Sequence, residues 1–216
     1  MWALVKASQV IEIIGSPKSI TVGEVRHPKD IFTHWSSSDL KAIGVYELIS
    51  GSTPDDKFET ATTTSYKVDD SKGTVTETIN KKDKAITDTL YTSQNKTDGV
   101  IPDGKDVGDV ASKGLKTIYT EQIQKQASSL LAPTDWMVVR KAEDSSKSIP
   151  SAVSTFRASV RTEADKIVKA ISDCDTLDKL KALFVTEYNE DKSVKTKATM
   201  DTLPSDKDKD IEEYKR

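Results

Sequence analysis

The sequence predicts an α+β protein: a β-rich N-terminal region with antiparallel strands, then a C-terminal helical hairpin or small bundle. Three observations carry that prediction. Short runs rich in β-formers fill the first fifty residues, and runs between residues 65 and 90 alternate with period two. From Gly114 onward the apolar residues recur at three- and four-residue steps instead. Gly, Pro and Asx-rich punctuation separates the runs at strand-length intervals in the first part and at helix-length intervals in the second.

Taken in order, Trp2–Val5 and Gln9–Ile14 are rich in β-formers, with Lys6-Ala7-Ser8 as the turn between them. Gly15-Ser16-Pro17 then interrupts. Ile20–Val22 and Glu24–Arg26 read as a further strand or hairpin broken at Gly23, and His27-Pro28 forces extended backbone before the proline. After the aromatic run Ile31–Trp35 comes a short capped helix. Ser36 is its cap, Asp39 lies near the positive end, and Gly44 is its exit. Val45–Ile49 is a strand. Two of the three tryptophans fall in residues 1–50, so a small β-rich domain is expected there.

Residues 51–112 are rich in Thr, Ser, Asp and Lys and form a polar meander and loop. Ser65–Val68, Thr74–Ile79 and Ala85–Leu90 alternate as solvent-facing strands, with Asp70-Ser71-Lys72-Gly73 as a hairpin turn. Such a meander has one thin buried face and needs a neighbour. Residues 93–112 read as a turn-rich loop.

Residues 113–188 form the helical domain. Leu115, Tyr119, Ile123, Ala127 and Leu130 make one apolar stripe. Pro133-Thr134-Asp135 restarts a helix carrying Trp136, with Thr134 or a neighbour as cap. Ile149-Pro150 opens the longest helix, to about Asp173, a rod of about 36 Å at roughly 1.5 Å per residue. Val153, Phe156, Val160, Ala164, Ile167 and Ile171 give it a nearly heptad seam. Asp175 or Thr176 caps a fourth helix with Leu177, Leu180, Leu183 and Phe184 on one face. Residues 189–216 are a charged Lys/Asp/Thr tail, expected to be mobile or ordered by a partner.

Composition narrows the chemistry. Only 35% of the 216 residues are hydrophobic and 31% are charged, which suits a thin core that is completed by a neighbour rather than a single thick one. A net charge of −3, with acids and bases interleaved, offers no field for nucleic acid or an anionic membrane. No apolar run reaches the roughly 20 residues of a membrane span. The N-terminus lacks the pattern of a signal peptide, so synthesis in a reducing cytoplasm is expected.

The candidate sites are few. Cys174 stands alone, which excludes an internal disulfide and a thiolate zinc site; it reads as a small packed thiol. His27 and His34 sit near tryptophan and read as packing or capping groups. Asp98, Asp103, Asp106 and Asp109 lack the spacing and the closing glutamate of a calcium loop. Asp69-Asp70 and Glu212-Glu213 are adjacent, so within each pair the carboxylates would not face one another across a cleft. No P-loop, dinucleotide fingerprint or nucleophile elbow occurs. No cofactor, metal or catalytic constellation is therefore expected. The most structured cluster is Trp136 with Arg140, Phe156, Arg157 and Arg161, one turn apart in pairs on two successive helices. It reads either as an inter-helix lock, with Trp136 packed on the long helix, or as a binding surface with Trp136 exposed.

The run Leu130–Glu143, with its double leucine, T-D-W and arginine–lysine pair, is followed by Ile149-Pro150 and by Phe156–Arg161 with two arginines four apart. Together these resemble a signature of tail-fibre-associated and tail-fibre-assembly-like proteins of tailed phages. Met1–Val5, Pro17-Lys18, Ile31-Phe32, Trp35 and Ala42–Tyr46 are similar to tail-region proteins of marine phages, and Gly114-Leu115-Lys116 matches the same group. The match covers residues 1–50 and about 113–185. It departs at Met137, where the group often has an aromatic residue. The resemblance implies a non-enzymatic virion component that attaches or adapts a fibre, spike or baseplate element. Its partners would be other tail proteins, with several copies per tail and neither nucleic acid nor membrane among them. It equally accommodates a tail-fibre assembly chaperone absent from the mature particle. A glycan- or wall-cleaving tail enzyme is the third reading, disfavoured by the lack of a catalytic motif.

Overall fold

The N-terminal alternation becomes a hairpin of β1 (Trp2–Lys6) and β2 (Gln9–Ile14) in the computed structural model, which describes residues 1–205 and 209–215. The turn holds Ala7 and Ser8 at φ 50° and 58°, the left-handed pair that matches the twist of the flanking strands. Ile20–Val22 (β3) and Val25–His27 (β4) form a second hairpin around Gly23. Ile31–His34 (α1) is a single helical turn. Ser37–Ala42 (α2) starts with the full capping box expected of Ser36 and Asp39. Gly44 then carries φ 79°, and a Cβ there would stand 2.5 Å from the Val5 carbonyl oxygen. The chain can therefore re-enter as β5 (Val45–Ile49) beside β1 only with glycine at this position.

Residue 50 is not a domain boundary. β6 (Glu59–Asp69) and β7 (Thr74–Asp83) form the expected hairpin about residues 70–73, and β7 pairs in parallel with β5. One sheet of order β2-β1-β5-β7-β6 results, and Met1–Asp83 is one compact unit. The small domain at 1–50 and the start of the polar meander thus merge, because the parallel β5–β7 pairing joins segments that look separate in composition. One face of the sheet, with Ile14 and Val45, packs on Ile20, Ile31, Phe32 and Leu40. The other holds a smaller cluster of Ala3, Val5, Tyr46, Leu48 and Val75.

Asp70 fastens the turns of this unit together. Its carboxylate accepts hydrogen bonds from the hydroxyls of Ser8 and of Tyr46, the latter at 2.8 Å. These bonds hold the Asp70 carboxyl below its ordinary 3.8 and push the Tyr46 phenol above its ordinary 10.0. The depressed Asp70 pKa means its stabilisation is complete above the unfolded value and lost as pH falls through the folded one. The raised Tyr46 pKa means its contribution is complete below the unfolded value and lost as pH rises through the folded one. Tyr46→Phe should therefore flatten the alkaline limb of the stability–pH profile above about pH 10 and only weaken the acid limb below about pH 4, because Ser8 still donates to Asp70, as read by thermal unfolding.

The second unit, Lys84–Arg216, is helical with short β pairings. The predicted third meander strand at 85–90 is not one. Only Thr89–Leu90 (β8) is a strand, and it pairs with Val110–Ser112 (β9) rather than with the hairpin. Residues 85–88 instead cross the start of the helix Leu115–Leu131, whose first N–H groups bond to the Ala85 and Ile86 carbonyls. The predicted loop 93–112 also contains a helical turn, Ser93–Thr97 (α3), boxed by Thr92 and Asn95. Leu115–Leu131 (α4), Asp135–Glu143 (α5) and Ser151–Asp173 (α6) follow, with a 3-10 turn over Ala132–Thr134. All six seam residues of α6 are buried, and α4 buries Leu115, Tyr119, Ile123 and Ala127. Leu177–Ala182 (α7) is capped by Thr176, and Phe184 meets the Tyr119 ring edge-on at 4.8 Å.

The tail departs from expectation. Glu187–Tyr188 (β10) pairs with Val194–Thr196 (β11), and a short helix, Lys209–Glu212 (α8), lies against α6. Ala198, Met200 and Ile211 are buried. Three sparse apolar anchors order a segment whose average composition is that of a solvated tail. Residues 206–208 and 216 of that predicted tail lie outside the described residues.

Candidate functional site

The corner between α4 and α5 is where the predicted cluster condenses. Arg157 is 5% exposed on α6, and its guanidinium points at the turn that joins the two preceding helices. One terminal nitrogen donates to the Leu131 carbonyl and to the Thr134 hydroxyl, each at 2.8 Å. The other donates to a carboxylate oxygen of Asp135 at 2.7 Å. Thr134 is fully buried, and its hydroxyl in turn donates to the Leu131 carbonyl at 3.0 Å. It makes no side-chain cap on α5, contrary to the sequence expectation. Its hydroxyl is drawn back to Leu131 and to Arg157, because the intervening turn is 3-10. A planar fork with several donors suits this task, since it satisfies a helix-end carbonyl, a hydroxyl and a carboxylate at once.

The other cluster members divide. Phe156 is buried in the seam beside Arg157. Arg161, one turn on, is exposed and stays outside the corner. The Arg140 guanidinium stands 4.9 Å from the Trp136 ring centroid, a cation–π contact within α5. Trp136 is half-buried, and its indole N–H donates to the Tyr214 carbonyl at 3.2 Å. Trp136 thus ties α5 to the C-terminal segment, while Met137 is the α5 residue buried at 4% exposure. The predicted lock between the two helices is carried by Arg157. Trp136→Phe, which removes the indole donor together with part of the ring area, should cost about 1–2 kcal/mol in urea unfolding. It should also speed proteolysis of the C-terminal segment with little change elsewhere.

The remaining candidates have structural partners. His27 meets Trp35 edge-on at 5.5 Å, and His34 Nδ1 lies 3.0 Å from the Asp30 carbonyl oxygen. Cys174 is buried, its Sγ 3.3 Å from the Ala170 carbonyl oxygen, and burial raises its thiol pKa. Asp106 accepts from Lys96 and from the Val107 N–H, and Asp109 accepts from the Asp106 N–H, so these carboxylates brace their own loop. Asp69 accepts from the Lys72 N–H, whereas Asp70 faces Ser8 and Tyr46. Glu212 accepts from Lys215. Among the described residues, no three His, Cys, Asp or Glu side chains are grouped as a metal site.

A cleft in the first unit was not legible as a site. Trp2 on β1, Glu47 on β5 and Thr74 on β7 are register partners across three adjacent strands and form its floor. Phe32, Trp35, Ser37 and Lys72 contribute its walls. The aromatic residues read from sequence as core, and only the pairing of β5 with both β1 and β7 brings Glu47 and Lys72 to them. Comparisons of the chain with known protein families, with curated proteins and with solved structures found no match.

Proposed function

We propose that the chain is a non-enzymatic attachment component of a phage tail, joining a fibre, spike or baseplate element in several copies. On this reading it is made in the host cytoplasm and carried in the virion. The sequence resemblance supplies the setting. Four residues of that signature, Leu131, Thr134, Asp135 and Arg157, meet at one helix corner, which supports a scaffolding role for them.

The observation that carries an attachment role is the β6–β7 ribbon. β7 shares only Thr74–Thr76 with β5, while its pairing with β6 runs from Asp69↔Thr74 to Glu59↔Asp83. Beyond Thr76 the hairpin is therefore two-stranded, with buried Phe58 at its far end. Every residue from Thr60 to Lys67 is exposed, and β6 is an edge of the sheet. Two-stranded ribbons are marginal in water alone, so an arm of this length gains most from a neighbour that covers or extends it.

Mass spectrometry of purified particles tests the reading. The chain should be present at several copies per particle. Its absence from particles whose fibres nonetheless require it would establish the assembly-chaperone reading instead. Removing residues 60–65 together with their partners 78–82 should leave a folded protein that no longer enters particles.

A further inference from the structure

We infer that the cleft over β1, β5 and β7 binds a neutral saccharide, a property that does not rest on the tail reading. It encloses about 320 Å³, at the small end of the roughly 300–1,000 Å³ typical of ligand pockets, which suits one or two sugar rings. The Trp2 and Phe32 rings pack 4.7 Å apart at one side. Trp35, also in the lining, is 39% exposed and meets His27 edge-on.

Four polar groups of the cleft have no partner among the described residues. The indole N–H groups of Trp2 and Trp35, the Ser37 hydroxyl and the Glu47 carboxylate make no side-chain hydrogen bond or ion pair with any described residue. Trp35, Ser37 and Glu47 are exposed and Trp2 is half-buried, so these groups are open to solvent. Two donors, a hydroxyl and a carboxylate thus stand ready around aromatic surface.

Charge selects among ligands. The lining brings the Lys72 ammonium and the Met1 α-amino group beside the Glu47 carboxylate, and Asp69 lies 3.6 Å from Lys72. Neither an anion nor a cation gains net attraction from two charges of each sign. A neutral polyhydroxyl ring does match. Its C–H face lies on the electron-rich indole face, and its hydroxyls donate to Glu47 and accept from the indole N–H groups and the Lys72 ammonium.

Titration calorimetry of the full chain with maltose, lactose and diacetylchitobiose, with choline as a cationic control, tests this. At least one disaccharide should bind saturably, in the range of about 1 mM. Trp35→Ala and the near-isosteric Glu47→Gln should each weaken it about tenfold or more, while Trp136→Phe leaves it unchanged. Glu47→Gln keeps the test decisive if Trp35→Ala disturbs folding. No saturable binding of any of the three sugars, undiminished affinity in either folded variant, or tighter binding of choline than of every sugar would overturn the assignment.

Discussion

Arg157→Ala should destabilise the second unit by about 3–4 kcal/mol, with Arg157→Lys intermediate. The size follows from what the guanidinium leaves behind. Hydrogen bonds to a charged group are worth about 1.5–3 kcal/mol, and three acceptors lose their donor at once. They differ in what they can recover. The Asp135 side chain is 57% exposed and rehydrates, so its loss is small. Thr134 is fully buried and keeps only its bond to Leu131. The Leu131 carbonyl keeps only the Thr134 hydroxyl in place of two donors. A lysine places one ammonium on a flexible stem and cannot span carbonyl, hydroxyl and carboxylate together. Arg161→Ala is the internal control. It lies one turn away on the same helix, is exposed, and should change urea unfolding by less than about 0.5 kcal/mol. Equal effects of the two substitutions would show that the corner is not held by Arg157.

The contrast between those arginines marks how far the sequence could be read. Periodicity alone places the α6 seam, because each of its apolar residues lands on the buried face whatever the rest of the chain does. The Ser36–Asp39 capping box and the residue 70–73 turn are local too, since their partners lie within three or four residues. Arg157 is different. Its partners are 22 to 26 positions away. Which of Arg157 and Arg161 turns inward depends on the rotation of α6 against a corner whose 3-10 geometry no local rule specifies. The same applies to β5. Its alternation marks a strand, but not that it pairs antiparallel with β1 and parallel with β7. The row Trp2–Glu47–Thr74 therefore could not be assembled from spacing. Long-range register, not residue type, is what the sequence withheld. In the tail the difficulty was dilution, because Ala198, Met200 and Ile211 are separated by charged residues that dominate any window average.

Gly114→Ala should cost about 3–4 kcal/mol, although Gly114 has an ordinary negative φ of −79° and its substitute is the best helix former. The reason is space. A Cβ at Gly114 would stand 2.2 Å from the Thr87 carbonyl carbon and 2.4 Å from its oxygen, both backbone atoms that cannot rotate away. The segment that approaches so closely is the cap of α4. The Leu115 N–H donates to the Ala85 carbonyl at 2.9 Å and the Lys116 N–H to the Ile86 carbonyl at 3.0 Å. The Gly114 N–H donates to the Asp88 carboxylate at 2.7 Å. Residues 85–88 thus satisfy the first N–H groups that a helix otherwise leaves unpaired. Pushing that segment back by the width of a methyl group breaks these bonds together, at about 1 kcal/mol each, and alanine is itself about 1 kcal/mol worse than glycine at an N-cap. Asp88 gives a separable readout. Its carboxyl is held below the ordinary 3.8 chiefly by the Gly114 N–H, so its share of stability is present above the unfolded value and lost as pH falls through the folded one. Asp88→Asn should remove that acid dependence while leaving the close approach intact. Gly114→Ala should remove it too, because the donor has moved. If Gly114→Ala is as stable as the wild type and keeps the acid-sensitive step, the clasp of residues 85–88 on α4 does not exist in solution.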